Sequence, residues 1–248
     1  ICLPFGSKVQ IRKIVFTSGG GGTNAAVSFA RQGFKTACIG VIGSDPNGSA
    51  ILDELRRECV DGKYFQIHHD DITAYSVILV ADAGERTILS YKGEGIHWDA
   101  DVIPWESLQT KWFYVNSLGG HIDMLERIVK CAEEQGAHLA TNPGPKEIEL
   151  GLERLAPLWK RFDIIGMNQE EASMLTGIAY DKPDEIFKAM DKAVGGIFIM
   201  TKGQEGVLVS DGRNLYNAGI PNKEVVERTG SGDAFHSAFL AEFIRSGS

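Results

Sequence analysis

Short β-branched runs alternate with amphipathic stretches along most of this chain, and no other feature narrows the choice of fold as much. A parallel strand cannot reach its neighbour through a tight turn, so each strand must be followed by a crossover, most often a helix. The pattern predicts a strand end at Ile14 to Thr17, a helix over Asn24 to Gln32 closed by Gly33, and a buried strand over Thr36 to Ile42. Asp45 and Pro46 read as the cap and first residue of a helix running to about Cys59. Strands follow at Trp112 to Val115, His138 to Thr141, Asp163 to Met167 and Ile197 to Thr201. Between them lie helical stretches at Ile122 to Gln135, around Leu150 to Trp159, near Glu171 to Leu175 and at Asp184 to Val194. A strand pair at Val207 to Val209 and Asn214 to Tyr216 precedes a last helix from Asp233 onward.

One segment breaks the alternation. Tyr75 to Val80 and Thr87 to Tyr91 are strand-like runs joined by Ala81 to Arg86, a hairpin where a crossover helix is due, and such an excursion often covers a site. The length of 248 residues suits one domain spanning 1–248. A net charge of -8 with no basic half argues against nucleic acid as a partner. No apolar stretch reaches the roughly 18 residues of a membrane span. Four cysteines without a Cys-x-x-Cys pair fit a reduced, cytoplasmic setting.

Glycine is where composition departs from the ordinary. A share of roughly 7% would give about 17 in this length, and the chain has 29. Several gather at the openings of two helices. Ser18-Gly19-Gly20-Gly21-Gly22-Thr23-Asn24 lets backbone approach a ligand that a Cβ would repel, beside free helix N–H groups. Asn24 adds a side chain that donates and accepts toward hydroxyls. The second cluster, Thr229-Gly230-Ser231-Gly232-Asp233, aligns consecutive N–H groups as an anion hole for a transferring phosphoryl group, with Asp233 beside it to deprotonate an attacking hydroxyl. The plain alternatives are a tight strand-to-helix turn and a capping aspartate. A third reading takes Gly20, Gly22 and Ala25, with Asp45 further on, as a dinucleotide fingerprint. It leaves the second cluster unexplained.

Together, Gly19 to Ala26 followed by Gly33 and Gly40, and Thr229-Gly230-Ser231-Gly232-Asp233-Ala234-Phe235, resemble the two signatures of the ribokinase-like (PfkB) carbohydrate kinases. Asn168-Gln169-Glu170-Glu171 is similar to the family's Asn-x-x-Glu, and Thr201 to Gly206 to its nucleotide-facing turn. The resemblance implies a three-layer α/β/α sandwich with a mostly parallel central sheet and a small β lid, the lid segments lying at about 5–17 and 75–91. It implies ATP-dependent phosphorylation of a hydroxyl on a small carbohydrate. Gly20, Gly21 and Asn24 would bind the sugar and Asp233 would be the base, with Gly230, Ser231 and Gly232 as the anion hole. Asn168 and Glu171 would hold Mg2+, partly through water, while Asn168, Thr201, Gly203 and Gly206 would meet the nucleotide. Arg86 on the lid would reach an anionic group of the substrate.

Departures shape the remaining expectations. Glu227-Arg228-Thr229 stands where the family commonly has Asp-Thr-Thr beside a monovalent-cation site, which bears on K+ as a further cofactor. Asn116 ends a strand where ribokinases proper carry a sugar-binding glutamate. The family fold also has a strand before Ile1 and helices after Ser248, so the chain reads as truncated at both ends. A homodimer through the lid is the expected assembly. A nucleoside kinase of the same fold, an NAD(P)-binding protein and a catalytically silent nucleotide- or sugar-binding regulator are the alternative functions.

Overall fold

In the computed structural model, which describes residues 6, 8–80, 86–93, 97–221 and 230–247, six strands form the central sheet. In chain order the elements begin with α1 (Gly21–Arg31), β1 (Thr36–Ala37), β2 (Val41–Gly43), α2 (Pro46–Arg57), β3 (Val60–Asp61), β4 (Gln66–His68), β5 (Tyr75–Val80) and β6 (Arg86–Tyr91). They continue with β7 (Trp112–Val115), α3 (Ile122–Gln135), β8 (His138–Thr141), α4 (Pro145–Glu149), α5 (Leu152–Trp159), β9 (Ile164–Asn168) and α6 (Gln169–Thr176). The last are α7 (Pro183–Ala193), β10 (Ile197–Thr201), β11 (Val207–Ser210), β12 (Leu215–Ala218) and α8 (Ser231–Ser246). The sheet order is β12-β11-β10-β9-β8-β7. Strands β7 to β10 are parallel, and β11 and β12 return antiparallel.

Successive residues of a strand face opposite sides, so each parallel strand feeds two cores. Ile164 and Ile199 pack with Ala25 and Phe29 of α1 and Leu240 and Ala241 of α8. Ile165, Met167, Phe198 and Met200 pack against residues of α3, α5, α6 and α7. The result is the expected helix–sheet–helix sandwich. Its parallel strands end on one edge, where the loops into α4 and α6 and the glycine turn after β10 lie.

The hairpin β5–β6 forms a two-stranded sheet of its own, paired from Tyr75 with Tyr91 to Val80 with Arg86. Its base is fixed by Asp45. That carboxylate caps α2 through Gly48 N (2.7 Å) and also accepts from Thr73 N and Thr73 Oγ1, both at 2.8 Å. Asp45 is therefore committed to local structure, which removes the acid that the dinucleotide fingerprint required.

Three expectations change. The strand at Ile14 to Thr17 does not form: residues 8–19 carry no regular element, and Ile14, Val15 and Phe16 are exposed and paired with no strand among the described residues. The single strand at Thr36 to Ile42 is two short ones, because its partner chain loops out between β3 and β4 and seats the Phe65 ring on Gly40. A Cβ there would lie 2.5 Å from that ring. The helical stretch around Leu150 begins earlier, at Pro145, and is divided by Gly151 at φ +81°. Glu227-Arg228-Thr229 lies outside the described residues, as do residues 5 and 7 of the expected lid segment and residues 81–85 of the hairpin.

Candidate active site

The two glycine clusters, far apart in sequence, open helices that lie side by side. Gly20, at φ +100°, turns the chain into α1, and Gly230, at φ +74°, does the same for α8. Both conformations favour glycine strongly. Two rungs tie the helices together one turn apart: Asn24 Nδ2 donates to Asp233 Oδ2 at 2.7 Å, and Ser237 Oγ donates to Ser28 Oγ at 2.7 Å. Gly21 is wedged between them and the sheet. A Cβ on it would sit 2.7 Å from Asn116 Nδ2 and 3.2 Å from Asp233 Oδ1, so any side chain at this position would occupy the space in front of the carboxylate.

At the start of α8, Ser231 and Gly232 are exposed and Gly230 has no side chain to cap the helix. First-turn N–H groups have no acceptor within their own helix. They point out beside Asp233, with the partial positive charge of a helix N-terminus behind them. A polar carboxylate next to open N–H groups is an arrangement that removes a proton on one side and stabilises an anion on the other.

Asn168 ends β9 and caps α6. Its Oδ1 accepts from Glu171 N at 2.8 Å, while Glu171 Oε2 accepts from Asn168 N at 2.9 Å. The Asn-x-x-Glu pattern is thus a capping box, reciprocal and local. Glu171 is not electrostatically settled, however. Burial pushes its carboxyl above the usual range, the Asn168 N–H opposes this, and the charges of Glu170 and Asp233 push it further up. A cation placed between Glu171 and Asp233 would relieve that repulsion, so these residues fit a hydrated Mg2+.

Thr201 ends β10 directly beside Asn168 in register. After it, Gly203 (φ +58°) and Gly206 (φ +91°) make a tight return in which Lys202 N donates to Gly206 O at 2.8 Å. Gly206 packs on β12, where a Cβ would lie 2.0 Å from Ala218 O. Its glycine character is accounted for by the turn. Arg86 opens β6 opposite Val80, at the end of the hairpin where β5 and β6 are joined. The structure therefore brings Gly21, Asn24 and Asp233 into one cluster and sets Glu171 within its field, while Arg86 belongs to the hairpin.

Further contributors include Glu147, His236 and Tyr114, which the sequence did not single out. Glu147 is buried, and its carboxylate accepts from Leu118 N (2.9 Å), Gly120 N (2.7 Å) and Gly144 N (3.0 Å), which pins the loops leaving β7 and β8. Asn142 Nδ2 donates to Gly166 O at 2.9 Å. Gly166 is in turn covered by His236, whose Nδ1 would lie 2.2 Å from a Cβ at that position. Tyr114 on β7 and Asn116, one residue past its end, stand two residues apart. That alternation of polar side chains along a strand in the sheet interior was the readable signal.

Comparisons with known proteins bear on the family and the fold. A family model described as pfkB family carbohydrate kinase matches residues 2–248. A ribokinase of Haemophilus influenzae is 29% identical over 233 residues, covering 91% of this chain and 74% of that protein. Among solved structures, an adenosine kinase from Sinorhizobium meliloti superposes with a TM-score of 0.79 at 22% identity, covering 92% of this chain and 72% of that one. An Arabidopsis thaliana ribokinase complexed with ribose and ATP superposes with a TM-score of 0.73 at 20% identity, covering 92% and 75%.

Proposed function

This chain belongs to the pfkB family of carbohydrate kinases, phosphotransferases that act on a hydroxyl group, and from that premise we propose how its own residues carry the transfer. The acceptor is a small sugar and the donor ATP. The reading rests above all on the 2.7 Å contact between Asn24 and Asp233, which joins the sugar-side glycine cluster to the phosphate-side one. Gly20 and Gly21 leave room for the sugar, and Asn24 addresses a hydroxyl. Asp233 takes the proton from the accepting hydroxyl as its oxygen bonds to the γ-phosphorus. The bond from that phosphorus to the bridging oxygen breaks, and ADP leaves with the electron pair. The N–H groups of Gly230, Ser231 and Gly232 stabilise charge on the moving phosphoryl oxygens, so the chain contributes positioning and electrostatics rather than a covalent intermediate.

Asn168 and Glu171 would hold Mg2+ through water, and the ion would neutralise phosphate charge. Thr201, Gly203 and Gly206 line the nucleotide side. Arg86 meets an anionic group of the substrate from the hairpin. The exposed apolar residues of that hairpin, Val77, Ile78, Val80, Ile88 and Leu89 among them, support a homodimer formed through the lid. Among the described residues no helix is long and apolar enough to cross a membrane, and the cytoplasm is the proposed location.

The test is ATP turnover across a panel of sugars and nucleosides by the wild-type protein and by Asp233→Asn. Loss of a general base is expected to cut kcat by about a thousandfold. Near-normal turnover by the variant would remove Asp233 from the role. Turnover on nucleosides alone would move the chain to the adenosine-kinase reading, which the structural likeness to the Sinorhizobium meliloti enzyme supports.

A further inference from the structure

Glu147 of α4 is 5% exposed, and its carboxylate takes three backbone N–H groups from two loops: Leu118 N (2.9 Å) and Gly120 N (2.7 Å) on Oε1, and Gly144 N (3.0 Å) on Oε2. The Gly144 bond alone would be helix capping, local to α4. The other two reach back 29 and 27 positions, to the loop between β7 and α3, where capping of α4 requires nothing. That loop has little else to hold its shape. Gly119 and Gly120 sit at φ +71° and +85°, and glycine has many alternatives to such a conformation, while His121 gives α3 no side-chain cap. Three donors also explain why the group is an acid. A carboxylate only accepts, whereas the amide of a glutamine would turn a donor toward one of the three N–H groups. Burial of a charge costs far more than burial of an apolar side chain of the same volume, and the packing of α4 alone would be met by the latter.

The loop begins at Asn116, next to the proposed base. The point that a Cβ on Gly21 would occupy lies 2.7 Å from Asn116 Nδ2 and 3.2 Å from Asp233 Oδ1. Gly21 leaves that point open, so an acceptor hydroxyl placed there meets the amide and the carboxylate together. Asn116 is not secured by its own bond: its Nδ2 reaches Asn142 O at 3.5 Å, the limit of a hydrogen bond. The loop holds it instead. Two residues on, Leu118 N is bound to Glu147, and Ser117 lies so close to Gly144 that a Cβ there would overlap its side chain. We propose that Glu147 is a positioning residue for the acceptor site, locking the 116–120 loop to the 142–145 loop so that the Asn116 amide stays turned toward the acceptor hydroxyl beside Asp233. The inference rests on the reading of Asp233 as the base, and Glu147 acts through the loop rather than by contact with either substrate.

The test compares Glu147→Gln, Asn116→Ala and the double variant in steady-state kinetics, with ATP as donor and D-ribose, D-fructose or adenosine as acceptor. Glu147→Gln is expected to raise the acceptor KM about tenfold, the loss of one hydrogen bond. Its kcat and its KM for ATP stay within about twofold, because the amide contact is made equally in the ground and transition states. A merely structural role would weaken binding of both substrates together. Asn116→Ala shows the same split, and the double variant is no worse than Asn116→Ala alone, since Glu147 acts through that amide. The proposal is overturned if Glu147→Gln leaves the acceptor KM within twofold of wild type, if it raises the ATP KM to the same extent, or if the two losses multiply in the double variant. A readout on the wild-type protein serves if Glu147→Gln does not fold. Adding an acceptor without ATP is expected to shift the side-chain amide resonance of Asn116, assigned by its loss in Asn116→Ala, together with the backbone amides of Leu118 and Gly120. Titrations with all three acceptors that leave these resonances unmoved overturn the proposal. If the wild-type protein phosphorylates none of the three, it is the reading of Asp233 that fails, and the same shifts still decide whether the loop meets an acceptor.

Discussion

At the scale of single residues, the site is governed by where side chains are missing. Gly21 keeps the approach to Asp233 open, and Gly166 admits His236 against the sheet. Gly166→Ala would force a Cβ to 2.2 Å from the His236 ring, in a layer where neither helix nor strand can yield without disturbing the Asn142 bond to Gly166 O. A loss of about 3 kcal/mol is expected, measured as a drop in the urea midpoint at unchanged m-value. The glycine clusters, Asn24 and Asp233 were legible because a ligand-facing backbone demands a residue without Cβ, and sequence records that demand directly. His236, Tyr114 and Glu147 were not legible. Their roles follow from partners far along the chain, such as the Leu118 and Gly120 N–H groups held by Glu147 from 29 and 27 positions away, and no local pattern encodes such pairings.

At the scale of elements, caps carried more information than periodicity. Asp45 before Pro46 and Gly33 after α1 each marked an end that the fold keeps. The strand at Ile14 to Thr17 misled because β propensity describes a residue's fit to a sheet, and among the described residues no strand pairs with 8–19. Asp45 also shows how one cap serves two elements, since it fixes both α2 and the base of the hairpin at Thr73. Burial acts to raise its pKa, but hydrogen bonds from Gly48, Thr73 and Asn47 outweigh this and hold it below the usual value. A depressed folded-state pKa means that its stabilisation is complete above about pH 4, the ordinary aspartate range, and is lost as pH falls through the lowered value. Asp45→Ala should therefore cost about 1–2 kcal/mol at neutral pH. In thermal melts the gap from wild type should close as pH is taken well below 4.

At the scale of the whole molecule, the sandwich was readable from alternation, since parallel strands leave few other ways to cover both faces. The hairpin was readable as an interruption of that alternation. Its exposed face bears on assembly: a two-stranded sheet with Ile78, Ile88 and Leu89 at 44–56% exposure is marginal on its own. If two hairpins pair, the double variant Ile78→Lys and Leu89→Lys should convert a dimer to a monomer in sedimentation velocity. A monomeric wild-type protein would remove the lid-mediated dimer.

The rungs between α1 and α8 join residues 209 positions apart. A nascent chain consequently carries the first glycine cluster long before Asp233, the proposed base, emerges with the final helix. Premature termination before α8 removes both rungs, and with them the contact on which the proposed chemistry rests.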